Sequence, residues 1–284
     1  MPMIDLTTQA ASERAPAPLA TKGGDLAYKH RLPTRLWHWT NALAVIVLLM
    51  SGLMISNAHP HLYWGLFGAN FDQPWFNPPR FPGWATIPST YNLALARTWH
   101  FFFAWIFAFG LLAHMAIGLA NRHIQRDLTL RRAELSPAHL WQDVKDHARL
   151  RFPTGAAALS YNVIQKLTYV AVIFVLLPTM IVSGLSLSPG FNAVMHWPLD
   201  LVGGRATMRS IHFVAAGLIA AFTAVHVVLV VLAGPYNELR SMLTGWFRVP
   251  PGPGDAAVAR ERWAPHVIGR YFTRTERTTQ EDAA

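Results

Sequence analysis

The sequence predicts an all-α membrane protein, a bundle of four transmembrane helices with a long outer loop and disordered ends. Three observations predict it. The 284 residues are 52% hydrophobic and only 14% charged, too apolar and too poorly charged for an ordinary soluble domain. Four stretches, at about 36–56, 98–120, 167–187 and 210–233, are apolar over roughly the 20 residues that a bilayer requires. The segments between them carry very unequal positive charge.

That inequality orients the chain. Of the 24 Lys and Arg, five lie ahead of helix one (Arg35 included), eight in the loop between helices two and three (Lys166 included) and seven after helix four. The other two loops hold two each: Arg80 and Arg97, then Arg205 and Arg209. Twenty cations on one side against four on the other place both termini in the cytoplasm of a bacterial inner membrane. The same distribution argues against nucleic acid as the reason for the net charge of +9, since the cations flank spans instead of forming one basic face.

Residues 1–27, rich in Ala, Pro and Thr, have no apolar core of the kind a signal peptide carries and read as a disordered cytoplasmic arm. The membrane domain is expected over 28–247, and 248–284 as a cytoplasmic tail. Helix one opens at Arg35-Leu-Trp-His38-Trp39, with tryptophans at interface depth, and closes near Ser51-Gly52-Leu53. The outer loop 57–97 holds six prolines and three tryptophans (Trp64, Trp75, Trp84) with hardly any charge. A loop of that length is either a self-folded cap or a docking surface for a partner, together with the short loop 188–208. Helix two starts at Trp99. The basic inner loop contains 137–149, which reads as an amphipathic surface helix with Leu140, Trp141 and Val144 toward lipid. Helix three contains Pro178, which predicts a kink, and closes in Ser183-Gly184-Leu185. Helix four starts near Ser210.

Cysteine is absent. That excludes disulfides, iron–sulfur clusters, cysteine-bound zinc and covalently attached haem. A redox centre in this chain has to be held by histidine. The histidines are placed for it. Arg35–His38, Arg97–His100 and Arg209–His212 each put an arginine three residues before a histidine at the start of an apolar run. His226 follows His212 by fourteen residues, close to four helical turns and a rise of roughly 21 Å. Two ligands on one face, one near each membrane surface, suit two haems stacked across the bilayer. Each low-spin haem takes two axial imidazoles from facing helices. With the N-terminus inside, His100 and His212 lie at the outer ends of their helices, and His38 and His226 at the inner ends. The natural pairs are His100 with His212 and His38 with His226. His114, fourteen residues after His100, serves equally well as the inner partner of His226. The arginines at Arg35, Arg97 and Arg209 lie one turn nearer water than the histidines, where a guanidinium can meet a haem propionate. Gly52, Gly110, Gly184 and Gly217 are candidate points of close approach. His123, just after helix two, reads as a surface residue or a contributor to a quinone site. Histidines buried in a span otherwise serve as packing residues, and interfacial arginines otherwise snorkel.

The Arg-Leu-Trp-His38-Trp start, the Trp99-His100-Phe-Phe-Phe-Ala-Trp run and the His212–His226 helix resemble the di-haem cytochrome b subunits of the prokaryotic cytochrome b561 and nickel–iron hydrogenase b-type cytochrome family. Tyr161-Asn-Val-Ile-Gln-Lys-Leu and Gly234-Pro-Tyr-Asn-Glu-Leu-Arg look like further hallmarks, and the thiosulfate-reductase-like group looks nearest. The resemblance covers about 28–247. It implies ligands from helices one, two and four, two of them on helix four. By position these are His38, His100, His212 and His226, with His114 an additional polar residue. It also implies two haem b, exchange with membrane quinone, and a periplasmic redox subunit such as a molybdopterin enzyme. The expected function is electron relay between the quinone pool and that partner. Two other classes compete: a self-sufficient oxidoreductase passing electrons between quinone and a small oxidant or superoxide, and a haem-free transporter or anchor.

Overall fold

A computed structural model describes residues 26–68, 72–120, 136–149, 158–159, 162–249 and 273–274. Residues 1–25 of the expected disordered arm and most of the tail lie outside these residues, as do His123 and Tyr161; Leu26 and Ala27, expected within the arm, belong to strand β1. The described elements are β1 (Leu26–Tyr28), α1 (Leu32–Ala58), α2 (Leu93–Ala120), α3 (Pro137–Ala148), α4 (Val163–Leu187), α5 (Pro189–Val194), α6 (Trp197–Leu201), α7 (Arg205–Ala233), α8 (Pro235–Thr244), β2 (Trp246–Arg248) and β3 (Thr273–Arg274).

The four spanning helices are α1, α2, α4 and α7, of 27, 28, 25 and 29 residues. Each starts four or five residues before its expected position and ends close to it. Hydropathy sees only the hydrocarbon layer, whereas a helix continues through the headgroups wherever its first turn can be capped. Asn92 shows how: its Oδ1 accepts the Leu95 N–H at 3.0 Å, a side-chain cap at the start of α2. The early starts put Arg97 and Arg209 inside their helices, not in the loops that precede them. Lys166, counted above with the inner loop, lies in the first turns of α4 and is only 3% exposed.

No more than 28% of any apolar window is buried within the protein. Large side chains such as Phe102, Phe109, Leu218 and Val228 face outward, the arrangement that lipid permits and water does not. The protein is a multi-pass membrane protein.

The chain forms two compact units. One comprises Leu36–Thr129 and Gln165–Leu229. Its core draws on all four spans: Ala44 and Val45 of α1, Phe107 and Leu111 of α2, Leu177 of α4 and Ile219 of α7. Helix α4 does not run as a simple α-helix into Pro178. Residues Val172–Leu176 form a π turn, in which the Leu177 N–H donates to Val172 O. A proline cannot donate to the carbonyl four residues back and crowds it. The wider turn just before Pro178 is the local solution.

The 57–97 loop of this unit is folded onto its own helices. Leu62 and Phe76 form an antiparallel bridge. Asn57 and Phe81 exchange two hydrogen bonds, of 3.0 and 2.8 Å. Trp75 Nε1 donates to Ser210 Oγ at 2.9 Å, and Ser210 Oγ donates to Tyr63 O at 2.6 Å. Gly65 N donates to Thr207 Oγ1 at 2.6 Å. Trp75 is therefore a structural tie to the start of α7, while Trp84 stays 83% exposed.

The other unit comprises Met1–Arg35, Leu130–Ile164 and Val230–Ala284. Its described part holds a small antiparallel sheet in the order β2-β1-β3, with Ala27 opposite Phe247 and Thr273. Gly245 (φ +90°) closes α8 in the left-handed region, and its carbonyl accepts the Lys29 N–H at 2.8 Å. Lys29 Nζ sits 4.2 Å from the Phe247 ring centroid. Burial pushes that ammonium below its ordinary pKa, with Glu238 opposing the shift. Helix α3 occupies the expected amphipathic stretch, with Trp141 and Val144 exposed.

Candidate functional site

The histidines of the spans come together in twos. His100 of α2 and His212 of α7 have ring centroids 6.3 Å apart at the end of the bundle that carries the 57–97 loop. His38 of α1 and His226 of α7 also stand 6.3 Å apart. The interplanar angles are 64° and 62°. Two imidazoles bonded to opposite sides of one metal at about 2 Å each have centroids roughly 6 Å apart. Among the described residues no cluster of three or more His, Asp or Glu could hold a bare metal ion. A pair of imidazoles alone suits a metal whose remaining ligands come from a macrocycle.

His114 is placed differently. Its ring stacks on Trp37 at 3.9 Å with 14° between planes, and the ring that meets His226 is His38. His226 itself stacks on Phe222 at 5.9 Å.

The seats of His100 and His212 are built alike. Ser51 Oγ lies 3.0 Å from His100 Nδ1, and Ser183 Oγ lies 2.8 Å from His212 Nδ1. A Cβ added to Gly52 would come within 3.4 Å of His100 Cε1, and one on Gly184 within 3.3 Å of His212 Cε1. In each case the Ser-Gly pair closing one span seats the histidine opening the next span. Gly110 faces Trp37 instead, and nothing lies within 4 Å of a Cβ on Gly217. The sequence signal for the serines was present in the repeated Ser-Gly-Leu. Its link to the histidines was not visible, because 49 and 29 residues separate each serine from its partner.

The three arginines are held in three ways. Arg35 donates through a terminal nitrogen to Leu243 O, and Arg209 to His61 O. Arg97 packs 5.8 Å from the Phe101 ring centroid. Buried nitrogens and oxygens without a hydrogen-bond partner among the described residues gather near the pairs: Arg209 Nε and His61 Nδ1 at one end, His38 Nδ1 and Asn41 Oδ1 at the other. Such atoms are rare in finished structures and call for a polar ligand.

Four spans with imidazoles paired at two places along one helix are the features of a membrane electron carrier of the b-cytochrome class. The chain belongs to the prokaryotic cytochrome b561 family, whose sequence model matches residues 29–245. It is similar to the "Probable Ni/Fe-hydrogenase B-type cytochrome subunit" of Cupriavidus necator, with 25% identity over 77% of this chain and 86% of that protein. It is also similar to the "Putative protein-methionine-sulfoxide reductase subunit YedZ1" of Azospira oryzae, with 28% identity over 70% of this chain and 87% of the relative. The "Putative cytochrome YdhU" of Escherichia coli is 24% identical over 81% of this chain and 77% of its own length. No solved structure matches the chain. The family implies b-type haem. The residues present fit such a group, through the two imidazole pairs, the glycines beside His100 and His212, and the buried polar atoms without a partner among the described residues.

Proposed function

We propose that the protein binds two haem b, one between His100 and His212 and one between His38 and His226, and relays electrons across the bacterial inner membrane. The observation that carries this reading is the equal 6.3 Å separation of two histidine pairs drawn from three helices. The fourteen residues between His212 and His226 set the pairs roughly 21 Å apart along α7. When bound, haem supplies one-electron iron chemistry. His38, His100, His212 and His226 would hold the haems, and the surrounding helices would seat their rings. Arg35, Arg97 and Arg209 are proposed to meet the propionates, with the spare nitrogens of Arg35 and Arg209 available beyond their backbone contacts.

The electron carriers at the two ends are proposed to be membrane quinone and a periplasmic redox subunit. The similarity to proteins named as subunits of a hydrogenase and of a sulfoxide reductase supports a partner enzyme. A molybdopterin oxidoreductase or a hydrogenase would fill that place, and the neighbouring reading frame distinguishes them. Both termini are proposed to be cytoplasmic, from the twenty-to-four distribution of cations. A second reading, a self-sufficient oxidoreductase acting on a small oxidant, is favoured by one feature. An open pocket of 680 Å³ lies at the outer end, lined by Asn57, His61, Asn77, Arg80 and Tyr91 among others.

The test is a haem assay and potentiometric titration of the purified full chain. Two extractable haems per chain and two redox components are expected, and one or none defeats the reading. Co-purification of a redox subunit separates the relay from the self-sufficient enzyme. A reporter fused after Gln280 is expected to report the cytoplasm, and activity only in the periplasm would reverse the orientation.

A further inference from the structure

We infer that Ser51 and Ser183 are positioning residues that hold His100 and His212 as the Nδ1–H tautomer, present their Nε2 lone pairs to iron, and lower the potential of the outer haem relative to the inner one. The inference rests on the haem reading above and concerns residues that reading does not use.

Each serine hydroxyl has a single proton, and the helix takes it. Ser51 Oγ donates to Val47 O at 2.6 Å, and Ser183 Oγ donates to Thr179 O at 2.6 Å. Both are short, well-formed bonds to the carbonyl one turn back. What remains on each oxygen is acceptor capacity alone. The imidazole nitrogens 3.0 and 2.8 Å away must then be the donors. With the proton on Nδ1, the other ring nitrogen carries the lone pair that a metal needs. The serines are 0% and 1% exposed, so water does not compete for the contact. The neighbouring Gly52 and Gly184 bring the serine-bearing backbone against the ring, since a Cβ there would stand only 3.4 or 3.3 Å from Cε1.

The other pair lacks this seat at His38. Its Nδ1 is buried with no hydrogen-bond partner among the described residues, and the ring meets Trp39 edge-on at 5.1 Å. A ligating histidine that donates its second N–H is a stronger electron donor and is fixed in orientation. Greater donation stabilises the ferric state and lowers the potential. The outer centre has two such ligands, and the inner centre has His38 without one. The two centres therefore differ in potential through these hydroxyls, with the outer one lower than its ligand type alone would set it.

The experiment uses the full chain with Ser51→Ala, Ser183→Ala, the double variant, and Ser→Thr at each position. Haem content is measured first, then both midpoint potentials by optical and electron paramagnetic resonance titration. The outer component is identified as the one that survives His38→Ala. Haem-free wild-type protein would overturn the underlying reading before any serine is changed. With haem bound, the expected result is an upward shift of the outer potential in each Ala variant and a larger one in the double variant. The inner potential stays fixed, and Ser→Thr stays close to wild type because it keeps the hydroxyl. Ala variants that retain both haems with unmoved potentials overturn the inference. If an Ala variant sheds the outer haem, the Thr variant decides. Haem retained at near wild-type potential supports the hydroxyl's role, and haem lost there too shows that the serines only pack.

Discussion

At the end of the bundle that carries the 57–97 loop, His100 and His212 each face a serine at hydrogen-bond distance and a glycine at van der Waals distance. At the other end, His38 has the same ring separation from its partner but, among the described residues, no hydrogen bond at Nδ1. The local sequence hides this difference. Arg35-Leu-Trp-His38 and Arg97-Thr-Trp-His100 look like copies of one motif. The difference arises because a histidine's seat is supplied by another helix. His100 and His212 open the second helix of a hairpin and lie beside the end of the first, where a Ser-Gly pair waits. His38 opens α1, the first helix of its hairpin, and among the described residues no Ser-Gly pair is seated against it. His114, which stands fourteen residues after His100 as His226 does after His212, packs on Trp37 instead.

The largest expected effects break one pair at a time. His100→Ala or His212→Ala is expected to remove the outer haem, leaving one haem per chain. His38→Ala or His226→Ala is expected to do the same to the inner one. His114→Ala is expected to leave both. Haem quantitation with the low-spin resonance signals reads all five. A His114→Ala protein that loses a haem while His38→Ala keeps two would reverse the assignment at the inner end.

A smaller effect sharpens the contrast between glycines. Gly184→Val places a branched side chain where a single Cβ already stands 3.3 Å from His212 Cε1. The ring has to move, and about 10-fold weaker retention of the outer haem is expected. Gly110→Ala meets Trp37 at an ordinary 3.8 Å and is expected to change haem retention little. Equal losses from both would mean that close approach to the imidazole is not what Gly184 provides.

Much of this architecture was legible because its causes are local. Twenty apolar residues in a row have one economical explanation, and the cation bias needs only counting. The Arg-x-x-His spacing was visible because three residues is one helical turn. The seats were not legible, because Ser51 bonding back to Val47 O looks like any serine in a span. Only the approach of a second helix turns it into an acceptor for His100. The π turn before Pro178 was expected merely as a kink, since sequence shows that a carbonyl must lose its donor but not how the helix rearranges. The strand pairing of Ala27 with Phe247 joins segments far apart in the chain with no periodicity to announce it. The outer loop left two readings open for the same reason: proline and tryptophan mark it as unusual without saying what it packs on.

That loop gives the last and smallest prediction, and it again compares two residues that the sequence treats alike. Trp75 and Trp84 both sit in the charge-poor stretch and looked equally suited to a partner's surface. In the fold, Trp75 Nε1 donates to Ser210 Oγ, and its ring stacks on Trp64 at 5.1 Å. Ser210 is fully buried two residues before His212. Removing Trp75 takes away a part-buried hydrogen bond and an aromatic contact, a loss of about 1 kcal/mol or somewhat more. Trp84, 83% exposed, makes no comparable tie. Trp84→Ala is expected to stay within about 0.5 kcal/mol of wild type. Thermal melts of the haem-loaded protein, followed in the Soret band, should therefore show Trp75→Ala lower and Trp84→Ala unchanged. Partner co-purification is expected to respond in the opposite order, weakened by Trp84→Ala more than by Trp75→Ala. If Trp75→Ala sheds the partner without any loss of thermal stability, the loop is a docking surface throughout and its cap role is wrong. If neither variant affects the partner, docking lies elsewhere, and the folded loop serves only to cover the outer histidine pair.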